Sequence, residues 1–360
     1  MRSLREIKSQ RASRLKFINI LINEGGSDLH LSAGSHPTIR VAGSLISLVK
    51  EPILTGKETL ALMEVMVSAK DRDRFIEEKE LDFSYQLEDG NRFRCNAFSQ
   101  RGDTGIAMRL IPREIRTVAE LNLPPILESF ARRTQGFFLV VGPVGQGKTT
   151  TLASLIELIN QERAEHIITI EDPIEYVFEA QRSLIDQREV KIDTKDFATA
   201  LKGAFRQDID VLFIGEMRGP ETMAAAVTAA ETGHLVFSTL HTNNASQTVN
   251  RIIDSFPGDQ QNQIRLQLAS SLAGIFSQRL VPRIGGGLVP AYELLVANKA
   301  VSNLIRESRT HELDTVIETG AKEGMIDMNR SLAELVARGE ISADSAYQFS
   351  INPKVLDRLL

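Results

Sequence analysis

Beyond residue 125 the chain carries four short apolar runs: Phe137 to Val141, Ile167 to Ile170, Val211 to Ile214 and Leu235 to Leu240. Runs this short read as buried strands, and the stretches between them repeat their apolar residues at helical spacing. Strand–helix alternation predicts a mostly parallel sheet with helices on both faces, an α/β core. Upstream the pattern differs. Leu29 and Leu31 alternate with Asp28 and His30, and further strands are predicted at Leu81 to Leu87, Arg92 to Gln100 and Thr104 to Ile111. A helical segment, Lys57 to Lys79, interrupts them, and residues 13–24 form an amphipathic helix with Leu15, Ile18, Leu21 and Ile22 on one side. This predicts a small α+β domain over residues 1–112 and a proline-bounded linker over 113–125. An α/β core follows over 126–290, then a helical region over 291–360. A glycine cluster, Gly285 to Gly287, follows the last long helix, and Gly320, Gly324 and Gly339 are expected helix stops.

Composition narrows the class without choosing it. The 360 residues have room for two domains. Hydrophobic content of 42% and charged content of 25% are those of an ordinary soluble globular protein. A net charge of −5 provides no whole-chain argument for nucleic acid, although basic residues cluster at Arg2 to Lys16, Arg92 to Arg116 and Arg132-Arg133. One cysteine, Cys95, excludes an internal disulfide and a four-cysteine metal site. No apolar run approaches the ~18 residues that span a bilayer. A cytoplasmic protein that reaches a membrane only through a partner is expected.

The chemistry begins where the first core strand ends. Gly142-Pro143-Val144-Gly145-Gln146-Gly147-Lys148-Thr149 fits the phosphate-loop pattern G-x-x-x-x-G-K-[ST]. Behind it Leu152, Leu155, Ile156 and Ile159 recur at helical spacing, completing strand, loop and helix. Backbone N–H groups of such a loop and the helix N-terminus, Thr150 included, attract phosphates. Lys148 reaches the β/γ-phosphates, and the Thr149 hydroxyl joins a Mg²⁺ shell. Two other strands end in acids: Glu216 after Ile214-Gly215, and Glu171-Asp172 after Ile170. Carboxylates at the C-terminal ends of parallel strands share the rim of the phosphate loop. Glu216 is the candidate to activate the attacking water, and Glu171 and Asp172 are candidates for water or Mg²⁺ contacts. His234 and His241 bracket the fourth strand, seven residues apart, too far for joint metal ligation; near a γ-phosphate, either could sense nucleotide. In the first domain Arg92 and Arg94 share one strand face, opposite Phe93, Cys95 and Ala97, and Arg109 lies on the next strand. An arginine on a mixed apolar face asks for an anionic partner, either a structural carboxylate or a nucleotide.

Together these elements resemble the secretion-ATPase superfamily of type II secretion, type IV pilus and type IV secretion motors, with the nearest likeness to the PilT-like pilus retraction ATPases. The resemblance runs from Ser27-Asp28-Leu29-His30-Leu31 to the C-terminal helices. Its specific parts are the acidic box Thr169 to Glu175, Gly215-Glu216-Met217-Arg218, and the histidine box Thr232 to Thr242. It implies a PAS-like first domain, a RecA-like P-loop core, ATP and Mg²⁺ as ligands, and a homohexamer. It also implies an inner-membrane pilus platform protein as partner, with no nucleic acid and no membrane insertion. Arg94 and Arg109 match the family's phosphate-reaching arginines, Glu216 its catalytic glutamate, Glu171 its acidic-box residue, and His234 and His241 its histidine pair. Ala300-Val301-Ser302-Asn303-Leu304-Ile305-Arg306-Glu307 resembles a signature of the retraction motors, with Val301 and Ser302 departing from it. Val144, Gln146 and Thr149 stand where Thr, Ser and Ser are usual, and Ile209 where proline is common. Pilus assembly or secretion by the same superfamily, DNA translocation on a RecA-like core, and nucleotide binding without hydrolysis are the alternatives.

Overall fold

The computed structural model describes residues 16–41 and 43–360, which divide into two compact units, one ending at Arg113 and the other Glu114–Leu360. The basic cluster at Arg2 to Lys16, apart from Lys16 itself, and the start of the first expected helix lie outside the described residues; the helix is seen over 16–23.

The first unit is built on six strands: β1 (Asp28–Ser32), β2 (Thr38–Val41), β3 (Ser44–Ser47), β4 (Glu80–Gln86), β5 (Arg92–Gln100) and β6 (Asp103–Ile111). They form one antiparallel sheet in the order β3-β2-β1-β6-β5-β4. Its inner face and the helices share a core that includes Ile18, Leu21, Leu29, Leu31, Phe93, Cys95 and Met108. The alternation of β5 is as read: Phe93, Cys95 and Ala97 are buried, and Arg94 is exposed. The single helix expected over 57–79 is instead two, Gly56–Glu64 and Ala69–Glu78. Ser68 breaks it, taking an extended backbone and accepting the Asp71 N–H as an N-cap.

The second unit holds β7 (Gly136–Val141), β8 (His166–Glu171), β9 (Leu184–Glu189), β10 (Val211–Ile214), β11 (Leu235–Leu240), β12 (Leu272–Pro282) and β13 (Leu288–Val296). Their order is β13-β12-β7-β11-β10-β8-β9, parallel throughout except for the β12–β13 hairpin. Period-two alternation splits β7 between two cores. Phe137, Leu139 and Val141 face helices 220–231, 245–254 and 258–271, while Phe138 and Val140 face helices 127–131 and 148–162. This is the helix-covered RecA-like α/β sheet. The arrangement brings the C-terminal ends of β7, β8, β10 and β11 to one rim.

Two expected boundaries move. The core does not stop at residue 290, because β13 continues the sheet to Val296, and Gly285 to Gly287 form the hairpin turn rather than a helix exit. Gly286 (φ 89°) and Gly287 (φ 77°) sit in the left-handed region that turn requires. The stretch read as a linker packs its Val118 and Leu123 into the core beside Phe130 and Phe138.

Candidate nucleotide site

The phosphate loop owes its shape to glycine. Gly142 has φ 144°, and a Cβ there would lie 2.5 Å from the Gln278 carbonyl oxygen on β12. Gly147, at φ 74°, turns the chain into the helix Lys148–Glu162, whose N-terminus carries no side-chain cap. The first N–H groups of that helix are therefore open to an anion, with the helix dipole behind them. Lys148 is 7% exposed, and its ammonium donates to the carbonyls of Gly142 and Pro143, both at 2.8 Å. Burial pushes the amine down to about 8, against the pull of Glu216 and Glu175. A buried ammonium inside a ring of glycine and proline backbone fits a phosphate group.

The rim completes the arrangement. Lys148 Nζ stands 3.3 Å from His241 Nδ1, and His241 Nε2 stands 3.3 Å from Glu216 Oε2. With Nδ1 accepting from the ammonium, the ring proton falls on Nε2 and is donated to the carboxylate. Glu216 is fixed by Arg218 beside it, and Arg218 lies 3.8 Å from Asp172. Lys148, His241, Glu216, Arg218 and Asp172 thus form a chain of alternating donors and acceptors along the strand ends. Pro143, Val144, Gly145, Gln146 and Gly147 form the loop itself. Thr149 is half-buried in the helix's first turn, and the Thr150 hydroxyl bonds Tyr176 at 2.9 Å.

Glu171 ends β8 completely enclosed. It accepts from Thr169 Oγ1 at 2.7 Å and more weakly from Gln187 Nε2 and the Glu175 N–H, both at 3.4 Å. Burial dominates these bonds and raises its carboxyl from 4.5 to about 7. Since the folded value lies above the unfolded one, stability from the protonated form is full below about pH 4.5. It is lost progressively up to about pH 7 and stays level above. Glu171→Gln is therefore expected to match the wild type at pH 4.5 and to exceed it at pH 8 by on the order of 2–3 kcal/mol. Thermal melts across that range check this; a gap that does not widen with pH refutes it.

His234 stands apart from the group. It lies just before the N-terminal end of β11, where its Nδ1 donates to Ala229 O at 2.9 Å and its ring meets Phe205. Six strand residues, about 20 Å at ~3.3 Å each, separate it from His241. In this unit it sits at a strand start, away from the phosphate-loop rim.

In the first unit, Arg40, Asp28, Arg109 and Arg94 lie in one row across β2, β1, β6 and β5. Arg109 Nε donates to Asp28 Oδ1 at 2.8 Å. Burial acts to raise the Asp28 carboxyl, but the Ser27 hydroxyl and Arg109 outweigh it and hold it below the usual range. Arg94 faces Arg109 directly, a like-charge pair that favours an added anion.

Sequence reading missed two contributors. Gln278 on β12 donates to Gln146 O at 2.8 Å and accepts from Thr151 Oγ1 at 2.7 Å, bracing the loop from a strand that was not predicted. Arg218 was legible only as part of the Gly215-Glu216-Met217-Arg218 motif, not as a group that holds Glu216 and Asp172 together.

The sheet and its rim define a RecA-like P-loop protein. Residues 10–288 match the model of the family described as "Type II/IV secretion system protein", and the chain belongs to that family. It is 43% identical over 323 residues to the "Type IV pilus retractation ATPase PilT" of Pseudomonas aeruginosa, covering 90% of this chain and 94% of the relative. It is 42% identical to the "Twitching motility protein" of Neisseria gonorrhoeae, covering 86% and 83%. The crystal structure of the pilus retraction motor PilT with bound ADP superposes with a TM-score of 0.90 at 46% identity, covering 96% of this chain and 98% of that one.

Proposed function

We propose that the chain is an ATP-hydrolysing motor for type IV pilus retraction, working as a homohexamer on a platform protein at the inner face of the cytoplasmic membrane. The observation that carries the enzymatic part is the contact series from Lys148 through His241 to Glu216, in two steps of 3.3 Å. A nucleotide regulator needs the loop and lysine but has no use for a braced carboxylate beside them. The likeness to retraction motors supports the pilus as cargo.

In this reading the loop N–H groups and Lys148 bind the β/γ-phosphates, and Glu216 orients the attacking water and takes its proton. His241, bonded to both, registers whether the γ-phosphate is in place. Thr149 and Asp172 would hold a Mg²⁺ ion, which would neutralise phosphate charge. Glu171, able to hold its proton near neutrality, orients the acidic box. Arg94 and Arg109 act on the phosphates, which answers their mutual repulsion. Alanine at both positions is then expected to lower turnover at least about tenfold. If ATP turnover is unchanged in the double variant, the two arginines are structural only.

Deleting the gene tests the cargo. Loss of retraction with accumulated surface pili supports the proposal, whereas loss of pili altogether assigns the chain to assembly. No helix among the described residues is long and apolar enough to cross a membrane, in keeping with a peripheral motor. A DNA translocase on this core would be stimulated by DNA with steep salt dependence. An ATPase rate indifferent to single- and double-stranded DNA removes that alternative.

A further inference from the structure

His241 is half exposed, yet it must hold station between Lys148 and Glu216. Nothing in its own strand fixes it, because β11 ends one residue earlier, at Leu240. The fixing comes one to four residues later, beginning with Thr242, whose hydroxyl bonds that of Thr248 at 2.6 Å. Arg279 Nη2 donates to both the carbonyl and the side-chain oxygen of Asn243, at 3.2 and 3.0 Å, and Ser277 Oγ donates to the same carbonyl at 2.8 Å. On β13, Glu293 Oε1 accepts the Ala245 N–H at 2.8 Å, at the head of the helix Ala245–Asp254. Ser277 and Glu293 face each other across the hairpin, and all three gripping side chains are buried. The same strand reaches the phosphate loop. Gln278 holds Gln146, and Arg279 Nη1 donates to the Gln278 carbonyl against which Gly142 packs.

We propose that Arg279 is a positioning residue for ATP hydrolysis: its guanidinium fork, with Nη2 on Asn243 and Nη1 on the Gln278 carbonyl, ties the loop leaving β11 to the strand that braces the phosphate loop, and so holds His241 in register with Lys148 and Glu216. The inference rests on the hydrolytic reading above. A guanidinium suits the task because it keeps its charge when buried and presents several donors in fixed geometry. Burial lowers its affinity for the proton and Glu293 restores part of it, so the charged fork is retained inside the protein. A buried arginine bonded only to backbone and amide oxygens, beside a site for phosphate, stiffens that site without competing for its ligand.

The test uses the full chain, with ATP turnover and ATP affinity measured separately. Arg279→Lys keeps the charge and loses the fork. It is expected to lower kcat by roughly five- to fiftyfold while leaving ATP affinity within about twofold. Asn243→Ala removes one acceptor at an exposed position and is expected to show a smaller loss of the same kind; it serves as the readout if Arg279→Lys does not fold. The deciding measurement is the same substitution in a His241→Ala background, where the loss is expected to shrink below about twofold, because the residue it positions is gone. An undiminished loss in that background overturns the proposal, as does a loss confined to ATP affinity or melting temperature. Failure of the hydrolytic reading is distinguishable, since the wild type itself would then show no turnover.

Discussion

Glu216→Gln is expected to bind ATP as the wild type does and to hydrolyse it about 10²–10⁴-fold more slowly. The change is nearly isosteric: the single amide oxygen can stay with Arg218 while the amide nitrogen takes the position facing His241 Nε2, and the Gly215 turn behind the residue is untouched. What is lost is the carboxylate's capacity to take a proton from water. Because that capacity matters only in the transition state, kcat should fall while ATP affinity holds. Hydrolysis assays paired with titration of a fluorescent ATP analogue check both halves. Turnover within threefold of wild type would remove Glu216 from the chemistry and move attention to Glu171.

Lys148→Ala is expected to fail one step earlier, at binding. The ammonium lies inside the loop with two backbone carbonyls and His241 as neighbours, so a phosphate has only to displace one of these acceptors to be held. A ligand present at 100 times its Kd stabilises a protein by about 2.7 kcal/mol, visible as a higher melting temperature. The wild type should show this rise with ATP, and Lys148→Ala should show none and no turnover. The pair of variants therefore separates holding nucleotide from cleaving it. An ATP-dependent rise that survives in Lys148→Ala would mean that the backbone N–H groups suffice to hold the phosphates.

The parts of this fold legible in the sequence were those in which one residue pattern answers one physical demand. The loop from Gly142 to Thr149 is spelled by glycines at Gly142 and Gly147, where a side chain is not tolerated, followed by Lys148 and Thr149, and the four central strands by apolar runs bounded by polar turns. Glu216, Glu171 and Asp172 could be placed on one rim because parallel strands all end on the same side. What stayed hidden was β12. It follows the helix Gly258–Ser271 without a break, and its Ser277-Gln278-Arg279 stretch is buried yet polar. Burial of those three is tolerated because Ser277 and Arg279 are bonded to Asn243 in the loop after β11 and Gln278 to Gln146 in the phosphate loop, a condition that only the tertiary structure reveals. The helix break at Ser68 was hidden for a different reason. A serine N-cap competes locally with helix continuation, and residues 57–79 hold no glycine or proline to announce it.

The lone thiol of this chain also has a practical meaning. Cys95 is sealed in the core of the first unit, and burial pushes its ionisation well above the ordinary thiol range, so it is slow to meet alkylating dyes in the folded state. A cysteine introduced at an exposed position, such as Ile284 in the β12–β13 hairpin or Leu45 on the edge strand, would then be the one reactive handle on the chain. Fluorophores or spin labels could report on each unit of the motor during turnover without first engineering a cysteine-free background.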